Sequence, residues 1–426
     1  MVVNRNGNFS KFLIVWCGQM VSAIGSGLTA FTLGVYVFQQ TGTATSYSLT
    51  ILFAFLPFFL LSPFGGVLAD RFDRRLLIII GDLGAAAGLV FILSMMYFGH
   101  IELWQIYLSA AFGSVFVAVQ APAYKAIVSD LVPPESYAKA SGLVQLAGAA
   151  QFLVAPLIAG LLMGYMEIKY ILIIDFLTYL VAIVCVIVVR QQTATFVAEQ
   201  KTTGVINELK EGFLATVSNK GILSLISIIA LILFYIGLLQ SLLGPMVLSF
   251  ADVKTLGIAQ SVCAIGMLVS SLFIGVFGQA KSQTRILAIF LGLMGVFFSC
   301  IGLSTNIYLI VLPGFLFFIT VPFVNSSIEV LIRNNIDSAS QGRVWAFVSV
   351  ITYMGSVFAY LSAGFLADHV FNPLFQSDGL LADTLGRLVG TGAGRGIAFM
   401  FVVSGLSVTI LSLFIFRSRK IRALEV

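Results

Sequence analysis

The sequence predicts an all-α membrane protein whose twelve transmembrane helices form two pseudo-symmetric six-helix bundles. Three observations predict this fold. First, 59% of the 426 residues are hydrophobic and only 10% are charged, which is more apolar surface than a soluble protein can hide. Second, apolar runs of about 20 residues, the length that crosses a hydrocarbon core of about 30 Å, recur along the chain. Third, one polar and charged stretch divides those runs into six and six.

Twelve apolar segments, numbered in chain order, account for the helices. They cover residues 10–39, 45–69, 76–98, 102–129, 136–163, 168–189, 221–249, 255–279, 284–303, 307–333, 341–368 and 394–416. Segment 1 is too long for a signal peptide and lacks a small-residue cleavage site, so we expect it to remain as the first helix. The chain then divides into an N-terminal bundle at 1–189, a cytoplasmic linker at 190–220 and a C-terminal bundle at 221–426.

The lysine and arginine residues predict the orientation in the membrane. When both termini are placed in the cytoplasm, 19 of the 23 basic residues fall in cytoplasmic segments and 4 fall outside. This distribution obeys the positive-inside rule. It also accounts for the net charge of +5, because the basic side chains meet anionic lipid headgroups and not nucleic acid.

A dense group of charges lies between segments 2 and 3. It reads Gly66-x-x-x-Asp70-Arg71-x-x-Arg74-Arg75, and such a cluster belongs at the membrane surface because lipid cannot solvate it. The turn after segment 8, from Gly275 to Arg285, repeats part of this spacing without the acid. A duplicated six-helix unit predicts a two-fold bundle with a cavity between its halves.

On these residues the chain resembles the major facilitator superfamily over essentially its whole length. The family's loop reads Gly-x-x-x-Asp-Arg/Lys-x-Gly-Arg-Arg/Lys, and Asp73 stands where the family usually has glycine. That departure is common in the branch typified by the macrolide efflux proteins of bacteria. Other stretches similar to that branch are Gly18-Gln19, Gln40-Thr41-Gly42-Thr43-Ala44, Gly81-Asp82-Leu83, Ile174-Asp175 and Gly342-Arg343-Val344.

The resemblance implies that the charged turn acts as a cytoplasmic gate. Asp70 ends segment 2, and in this fold segment 11 begins nearby with an N-terminus that favours a carboxylate. The arginines of the turn can reach acids such as Asp130 or Asp337. The residues of the gate are Gly66, Asp70, Arg71, Arg74, Arg75 and Arg343. The alternative is that these charges only orient the chain and form a turn.

Segment 5 contains part of the pattern Gly-Pro-x-x-Gly-Gly that antiporters of the family share. Here it reads Ala155-Pro156-Leu157-Ile158-Ala159-Gly160. The resemblance implies close packing of segment 5 against segment 8 through Gly148, Pro156 and Gly160, since small residues let helices approach. The alternative is generic packing with a proline kink.

Three acids within the segments are candidates for proton coupling. An acid in the bilayer costs about 2.5–3.5 kcal/mol on insertion scales, so each one needs a reason. Asp82 in segment 3 and Asp175 in segment 6 have no basic neighbour at helical spacing, and burial disfavours their charged form. Glu329 in segment 10 precedes Arg333 by four residues, so these two can pair. The alternative for each acid is a purely structural hydrogen bond or ion pair.

The substrate path in the family is lined by helices 1, 4, 7 and 10. In this chain those segments are rich in aromatic residues and poor in charge. Candidate cavity residues are Gln19, Phe31, Phe116, Gln120, Tyr235, Gln240, Phe318 and Asn325, with Ser22 and Ser26 also on segment 1. Such a lining suits a bulky amphipathic compound better than a sugar or a phosphate. The alternative is that the aromatic residues face lipid or neighbouring helices.

These observations favour a secondary exporter of bulky amphipathic compounds, of the drug or macrolide type, working by proton antiport with alternating access in the bacterial cell membrane. Two alternatives are an exporter of one native metabolite, such as a siderophore or lipid, and a membrane sensor or scaffold without transport. The sequence has no Gly-x-x-x-x-Gly-Lys-Ser/Thr loop, no metal-ligand set and no credible catalytic triad. We therefore expect no cofactor, no metal and no enzyme activity, and we expect a monomer.

Overall fold

The computed structural model describes residues 9–99, 101–191, 220–278, 282–336, 341–418 and 422–425. Within these ranges, twelve helices are long and apolar enough to cross a membrane. The predicted all-α fold is thereby confirmed, and the chain is a multi-pass membrane protein. Most of the predicted linker lies outside the described residues.

The helices of the N-terminal half follow the predicted segments. They are α1 (Phe9–Thr41), α2 (Ala44–Arg71), α3 (Arg74–Phe98), α4 (Leu103–Leu131), α5a (Tyr137–Leu153), α5b (Ala155–Leu162) and α6 (Ile168–Gln191). Segment 5 differs from the prediction of a single helix, because it is interrupted at Val154. Pro156 lies in the first turn of α5b, where its missing N–H needs no partner, so the interruption agrees with a proline kink.

The helices of the C-terminal half also match the prediction. They are α7 (Lys220–Leu248), α8 (Val253–Phe277), α9 (Gln283–Ile301), α10 (Ile307–Asn334), α11 (Gln341–Leu366) and α12 (Arg395–Arg417). A single π-helical turn, Ala367–Phe371, follows α11 and begins the connection to α12.

The chain forms two compact units, Met1–Gln40 with Leu49–Thr202, and Thr41–Ser48 with Thr203–Val426. Equivalent helices pack together in each unit. In the first unit α3 packs along α4 and α6, and in the second unit α9 packs along α10 and α12. The third helix of each six therefore contacts the fourth and the sixth, which agrees with the predicted duplication.

A close contact between the first and fifth helices is repeated in the same way. A Cβ at Gly27 of α1 would lie 2.5 Å from the Cβ of Ala155 in α5b. A Cβ at Gly237 of α7 would lie 2.9 Å from the Cβ of Ala359 in α11. Both contacts need glycine because any side chain would separate the two helices.

The first turn of α2 is held by an acid from the π-helical turn that follows α11. Asp368 accepts hydrogen bonds from the backbone N–H of Ala44 at 3.1 Å and of Thr45 at 2.7 Å, and from the Thr45 hydroxyl at 2.7 Å. A helix start leaves such N–H groups without partners inside the helix. Gly364, one turn before Asp368, permits the approach, since a Cβ there would lie 2.5 Å from the Thr45 Cα. Asp368 therefore caps α2.

Asp368→Asn should destabilise the protein, because an amide offers one acceptor oxygen where the carboxylate offers two. We expect the free energy of unfolding to fall by about 1 kcal/mol, as for the loss of a helix cap. Thermal unfolding in detergent measures this change. Asp383→Asn, which alters an exposed acid in the same connection, is the control. Equal melting temperatures for the two variants would contradict the assigned cap.

Candidate functional site

A buried carboxyl group lies where three helices of the first unit meet. Asp82 of α3 is 0% exposed and accepts hydrogen bonds from the side-chain amides of Gln19 on α1, at 2.9 Å, and Gln120 on α4, at 2.5 Å. Gln120 also donates to Gln19 Oε1 at 3.1 Å, so the three side chains close a ring. Two of the predicted cavity residues thus contact a predicted coupling residue.

Two glycines of α3 bring α4 close enough for this ring to form. A Cβ at Gly81 would lie 2.5 Å from Gln120 Cβ, and one at Gly84 would lie 2.0 Å from the Phe116 ring. Because neither position carries a side chain, α4 can place Gln120 against Asp82. Phe116, another predicted cavity residue, is half-buried and packs over Gly84.

A second buried carboxyl group lies between α1 and α6. Asp175 of α6 is 1% exposed, and its Oδ2 accepts a 2.5 Å hydrogen bond from Thr29 of α1. Thr178 donates to the Asp175 backbone oxygen at 2.7 Å and lies 3.3 Å from its Oδ1. Gly25 of α1 makes room, because a Cβ there would lie 2.5 Å from Asp175 Oδ1.

Neither threonine is among the residues that the sequence predicts for the site. The signal that identifies Thr29 is its spacing, since it continues the series Gln19, Ser22 and Ser26 at intervals of three or four residues. Thr178 follows Asp175 by three residues and so lies on the same face of α6. These two hydroxyls complete the surroundings of the second acid.

The hydrogen-bond partners of both acids are uncharged. Among the described residues, no lysine, arginine or histidine forms an ion pair with Asp82 or Asp175. An amide offers both a donor and an acceptor, and a hydroxyl can turn to do either. These partners can therefore donate to a carboxylate or accept from a protonated carboxyl. The arrangement can take up and release a proton without breaking an ion pair.

The turn between α2 and α3 is shorter than the charged motif of the sequence, because most of the motif's charged residues lie within these two helices. Arg74 binds Asp130 of α4 at 2.6 Å, and the two side chains are 17% and 11% exposed. Arg74 therefore reaches Asp130 as the sequence predicts. It also donates to the Ala126 carbonyl oxygen at 3.0 Å, near the C-terminal end of α4, where a cation is favoured. Arg74 ties α3 to α4.

Asp73 has a structural role that the motif does not predict. Its Oδ1 accepts a 3.1 Å hydrogen bond from the backbone N–H of Arg75 and caps α3, while its Oδ2 pairs with Arg190 of α6 at 2.9 Å. The residue that departs from the family's glycine therefore ties α3 to α6. The sequence signal is an acid directly before a helix start, which is a preferred N-cap position.

The other gate residues differ in exposure. Asp70 and Arg71 are exposed, Gly66 is half-buried and Arg75 is buried. Arg343 lies in α11 with its side chain outside the described residues, and Asp337 is outside them altogether. The gate therefore stays a prediction.

Glu329 pairs with Arg333, one turn further along α10, at 2.6 Å. The predicted i,i+4 pair is thereby confirmed. The two side chains are 53% and 58% exposed, and an exposed pair of this kind adds little stability. Because Glu329 binds a cation, it is a weaker candidate for proton transfer than the two buried acids.

The predicted cavity residues of the second unit also differ in exposure. Gln240 of α7 is exposed and accepts a 2.6 Å hydrogen bond from the Tyr360 hydroxyl. Asn325 of α10 is exposed, while Tyr235 and Phe318 are half-buried and pack edge-on against neighbouring phenylalanines. Their role in lining a cavity stays a prediction.

The remaining predicted residues of the first unit lie on α1 and α5. Phe31 and Gly160 are buried. Within the described part of the first unit, no other helix places an atom within 4 Å of the position that a Cβ would take at Gly148. The predicted packing of segment 5 against segment 8 stays a prediction.

Equivalent helix pairing in two units, together with buried carboxyls held by neutral partners, is typical of secondary membrane transporters. The sequence model of the Major Facilitator Superfamily matches residues 15–250, which is more than half of the chain. The chain belongs to the major facilitator superfamily. It is therefore a transporter and not an enzyme.

Known relatives are similar over most of the chain. Macrolide efflux protein A of Streptococcus pyogenes is 26% identical over 364 residues, which cover 84% of this chain and 90% of the relative. Quinolone resistance protein NorA of Staphylococcus aureus (strain COL) is 22% identical over 376 residues, which cover 87% of this chain and 93% of the relative. The predicted resemblance to the macrolide efflux branch is confirmed.

Solved structures of transporters share the fold. A bacterial homologue of the human lysosomal transporter Spinster, in an inward-facing and unoccupied conformation, matches with a TM-score of 0.74 at 12% identity, over 99% of this chain and 98% of that one. The nucleoside transporter NupG matches with a TM-score of 0.69 at 13% identity, over 96% of this chain and 100% of that one.

Asp130→Asn should destabilise the first unit, because it leaves the Arg74 guanidinium without a charged partner. We expect the free energy of unfolding to fall by about 1.5–3 kcal/mol, the range for hydrogen bonds to charged groups. Thermal unfolding in detergent tests this. The control is Glu167→Gln, which alters an exposed pair with Lys169 and should cost less than about 1 kcal/mol. If Asp130→Asn melts like the wild type, the pair does not hold α3 to α4.

Proposed function

We propose that this chain is a proton-coupled exporter of bulky amphipathic compounds of the macrolide or drug type. It works by alternating access in the bacterial cell membrane, with both termini in the cytoplasm. The observation that carries the proposal is the pair of buried carboxyls, Asp82 and Asp175, which only neutral groups contact in the described part of the chain. The names of the relatives, macrolide efflux and quinolone resistance, support the substrate class and the direction.

The surroundings of the two acids suit proton exchange. Burial disfavours the charged carboxyl, while hydrogen bonds from amides and hydroxyls favour it. The balance between these opposing effects depends on how well each acid is shielded from water. A conformational change that admits water to one acid then alters how strongly it binds a proton. This dependence of proton binding on conformation is what an antiporter needs to exchange protons for substrate.

The substrate class follows from the side chains of α1, α4, α7 and α10. The candidate cavity residues are aromatic rings and amides, which suit a bulky compound with both apolar and polar parts. Among the described residues the buried basic side chains are Arg75 and Arg395, and neither lies on those four helices. An anionic substrate would need buried cations on the path, so an uncharged or cationic amphipathic compound fits better.

Replacement of the buried acids should uncouple transport from protons. In proteoliposomes with an imposed pH gradient, we expect the wild type to move erythromycin or ethidium against its concentration gradient. Asp82→Asn and Asp175→Asn should lower this uphill transport at least about tenfold, because a neutral amide cannot carry the proton. Both variants should still exchange substrate across the membrane at equal pH.

Glu329→Gln is the matched comparison, since it alters the exposed acid that already binds Arg333. We expect it to lower uphill transport less than about threefold. If Asp82→Asn and Asp175→Asn both keep proton-driven efflux, these two acids do not couple transport to protons. Transport of one compound only from a varied panel would favour the exporter of a native metabolite.

Asp70→Asn tests the gate. We expect transport to slow at least about tenfold without a change in melting temperature, because Asp70 is exposed and acts on the conformational change. In a variant without the native cysteines, Phe72→Cys should react with a thiol label at a different rate when substrate is added. Asp383→Asn is the control for transport. Labelling at Phe72 that never changes would show that this turn does not move during the cycle.

A further inference from the structure

A polar stripe runs along one face of α1. Its members are Gln19, Ser22, Ser26 and Thr29, spaced three, four and three residues apart, so they lie on one side of the helix. Gln19 and Ser22 are 7% and 4% exposed. Ser26 and Thr29 are half-buried. Polar groups inside a membrane are costly unless they are satisfied, so a polar stripe of this length indicates a function.

The two ends of the stripe bind the two buried acids, as described above. Between the ends, Ser26 Oγ lies 2.8 Å from the Tyr179 hydroxyl of α6. Tyr179 follows Asp175 by four residues, about one turn of α6. Hydroxyl groups of Thr29, Tyr179 and Ser26 therefore extend from Asp175 in the direction of Asp82.

The two acids lie at different depths in the membrane. Asp82 is eight residues from the start of α3, about 12 Å, and Asp175 is seven residues from the start of α6, about 10 Å. Successive spans alternate in direction, so α3 and α6 begin at opposite faces. The ten residues from Gln19 to Thr29 rise about 15 Å, half of a hydrocarbon core of about 30 Å. The stripe bridges the part of the core between the acids.

We propose that the hydroxyls of this stripe, together with that of Tyr179, form a proton path that joins Asp175 to Asp82 within the first unit, and that Ser22 is the position where the path opens and closes. The proposal rests on the proposed proton coupling and adds the route. In one passage the Asp175 carboxyl loses its proton, each hydroxyl accepts a proton on its oxygen and releases its own, and the Asp82 carboxylate gains a proton. No other bond changes.

Hydrogen bonds join Asp175 to Thr29, Tyr179 to Ser26 and Gln19 to Asp82, but among the described residues none joins these three groups to one another. Ser22 is the control point because it is the stripe hydroxyl that lies between the second and the third of these groups. Among the described residues, no hydrogen bond joins Ser22 to the groups on either side of it. The amides of Gln19 and Gln120 orient Asp82, but an amide does not readily release its proton. A rotation of the Ser22 hydroxyl, together with a water molecule between Thr29 and Tyr179, completes the path. An interrupted path suits coupling, because a permanently connected one would let protons cross without substrate.

Other titratable groups lie near the stripe. They are Cys17 on α1, Tyr124 on α4 and Cys185 on α6, and in the described residues none of the three forms a hydrogen bond with either carboxyl. The nearest cation on α3 is Arg75, seven residues before Asp82, about 10 Å along the helix. The exchange of a proton therefore concerns the two acids and the hydroxyls between them.

The test compares Ser22→Ala with Ser22→Thr, which keeps the hydroxyl. Ser109→Ala is the matched control, because it removes a buried hydroxyl of α4 outside the stripe. In proteoliposomes we expect Ser22→Ala to lower erythromycin efflux driven by the pH gradient at least about tenfold more than it lowers erythromycin exchange at equal pH. Ser109→Ala should match the wild type in both assays, and Ser22→Thr should keep the wild-type ratio of the two rates. Proton-driven efflux by Ser22→Ala at the wild-type rate overturns the path.

A measurement without substrate separates the path from the proposed function. Infrared difference spectroscopy follows the carboxyl bands after a drop in pH, and Asp82→Asn and Asp175→Asn assign those bands. We expect Ser22→Ala and Asp175→Asn each to slow protonation of Asp82 at least about tenfold, and unchanged rates overturn the path. If the wild type exchanges erythromycin but shows no proton-driven efflux, the proposed antiport fails, and the infrared rates alone decide on the path.

Discussion

The hydrocarbon core of a membrane offers no hydrogen bonds, so each polar side chain within it needs a partner from the protein. α1 supplies one for both buried acids of the first unit, an amide for Asp82 and a hydroxyl for Asp175. Because both acids depend on the same helix, a rotation or shift of α1 changes the surroundings of both at once. Two acidic groups on different helices thereby respond to a single movement.

Close packing brings these hydrogen-bonding groups within reach of one another. Gly25 of α1 and Gly81 of α3 leave the space that lets their neighbours approach. In lipid, van der Waals contact contributes much of helix association, and glycine allows backbones to touch. The second unit uses the same device, with Gly266 of α8 against the Phe315 backbone of α10. Among the described residues, however, the buried acids all lie in the first unit, so the two units share a scaffold and differ in chemistry.

The sequence predicts the helices well because membrane thickness determines their length, and every segment that forms one helix begins and ends within two residues of its predicted bounds. Asp82 and Asp175 also stand out, since an acid in an apolar run is rare. Their partners are harder to predict. Gln19 lies 63 residues from Asp82, and Thr29 lies 146 residues from Asp175. Spacing shows which residues share a helix face, but it does not show which helix that face meets.

The cap on α2 affects the order in which the protein can be completed during synthesis. Thr45 and Asp368 are 323 residues apart, so the ribosome finishes the N-terminal half long before it adds the acid that caps α2. At about 5–20 residues per second, the delay is about 15–65 s. During that interval the first N–H groups of α2 depend on water or lipid headgroups. The last helices to leave the ribosome therefore complete the start of the second helix, and the nascent N-terminal half waits in the membrane as an unfinished intermediate.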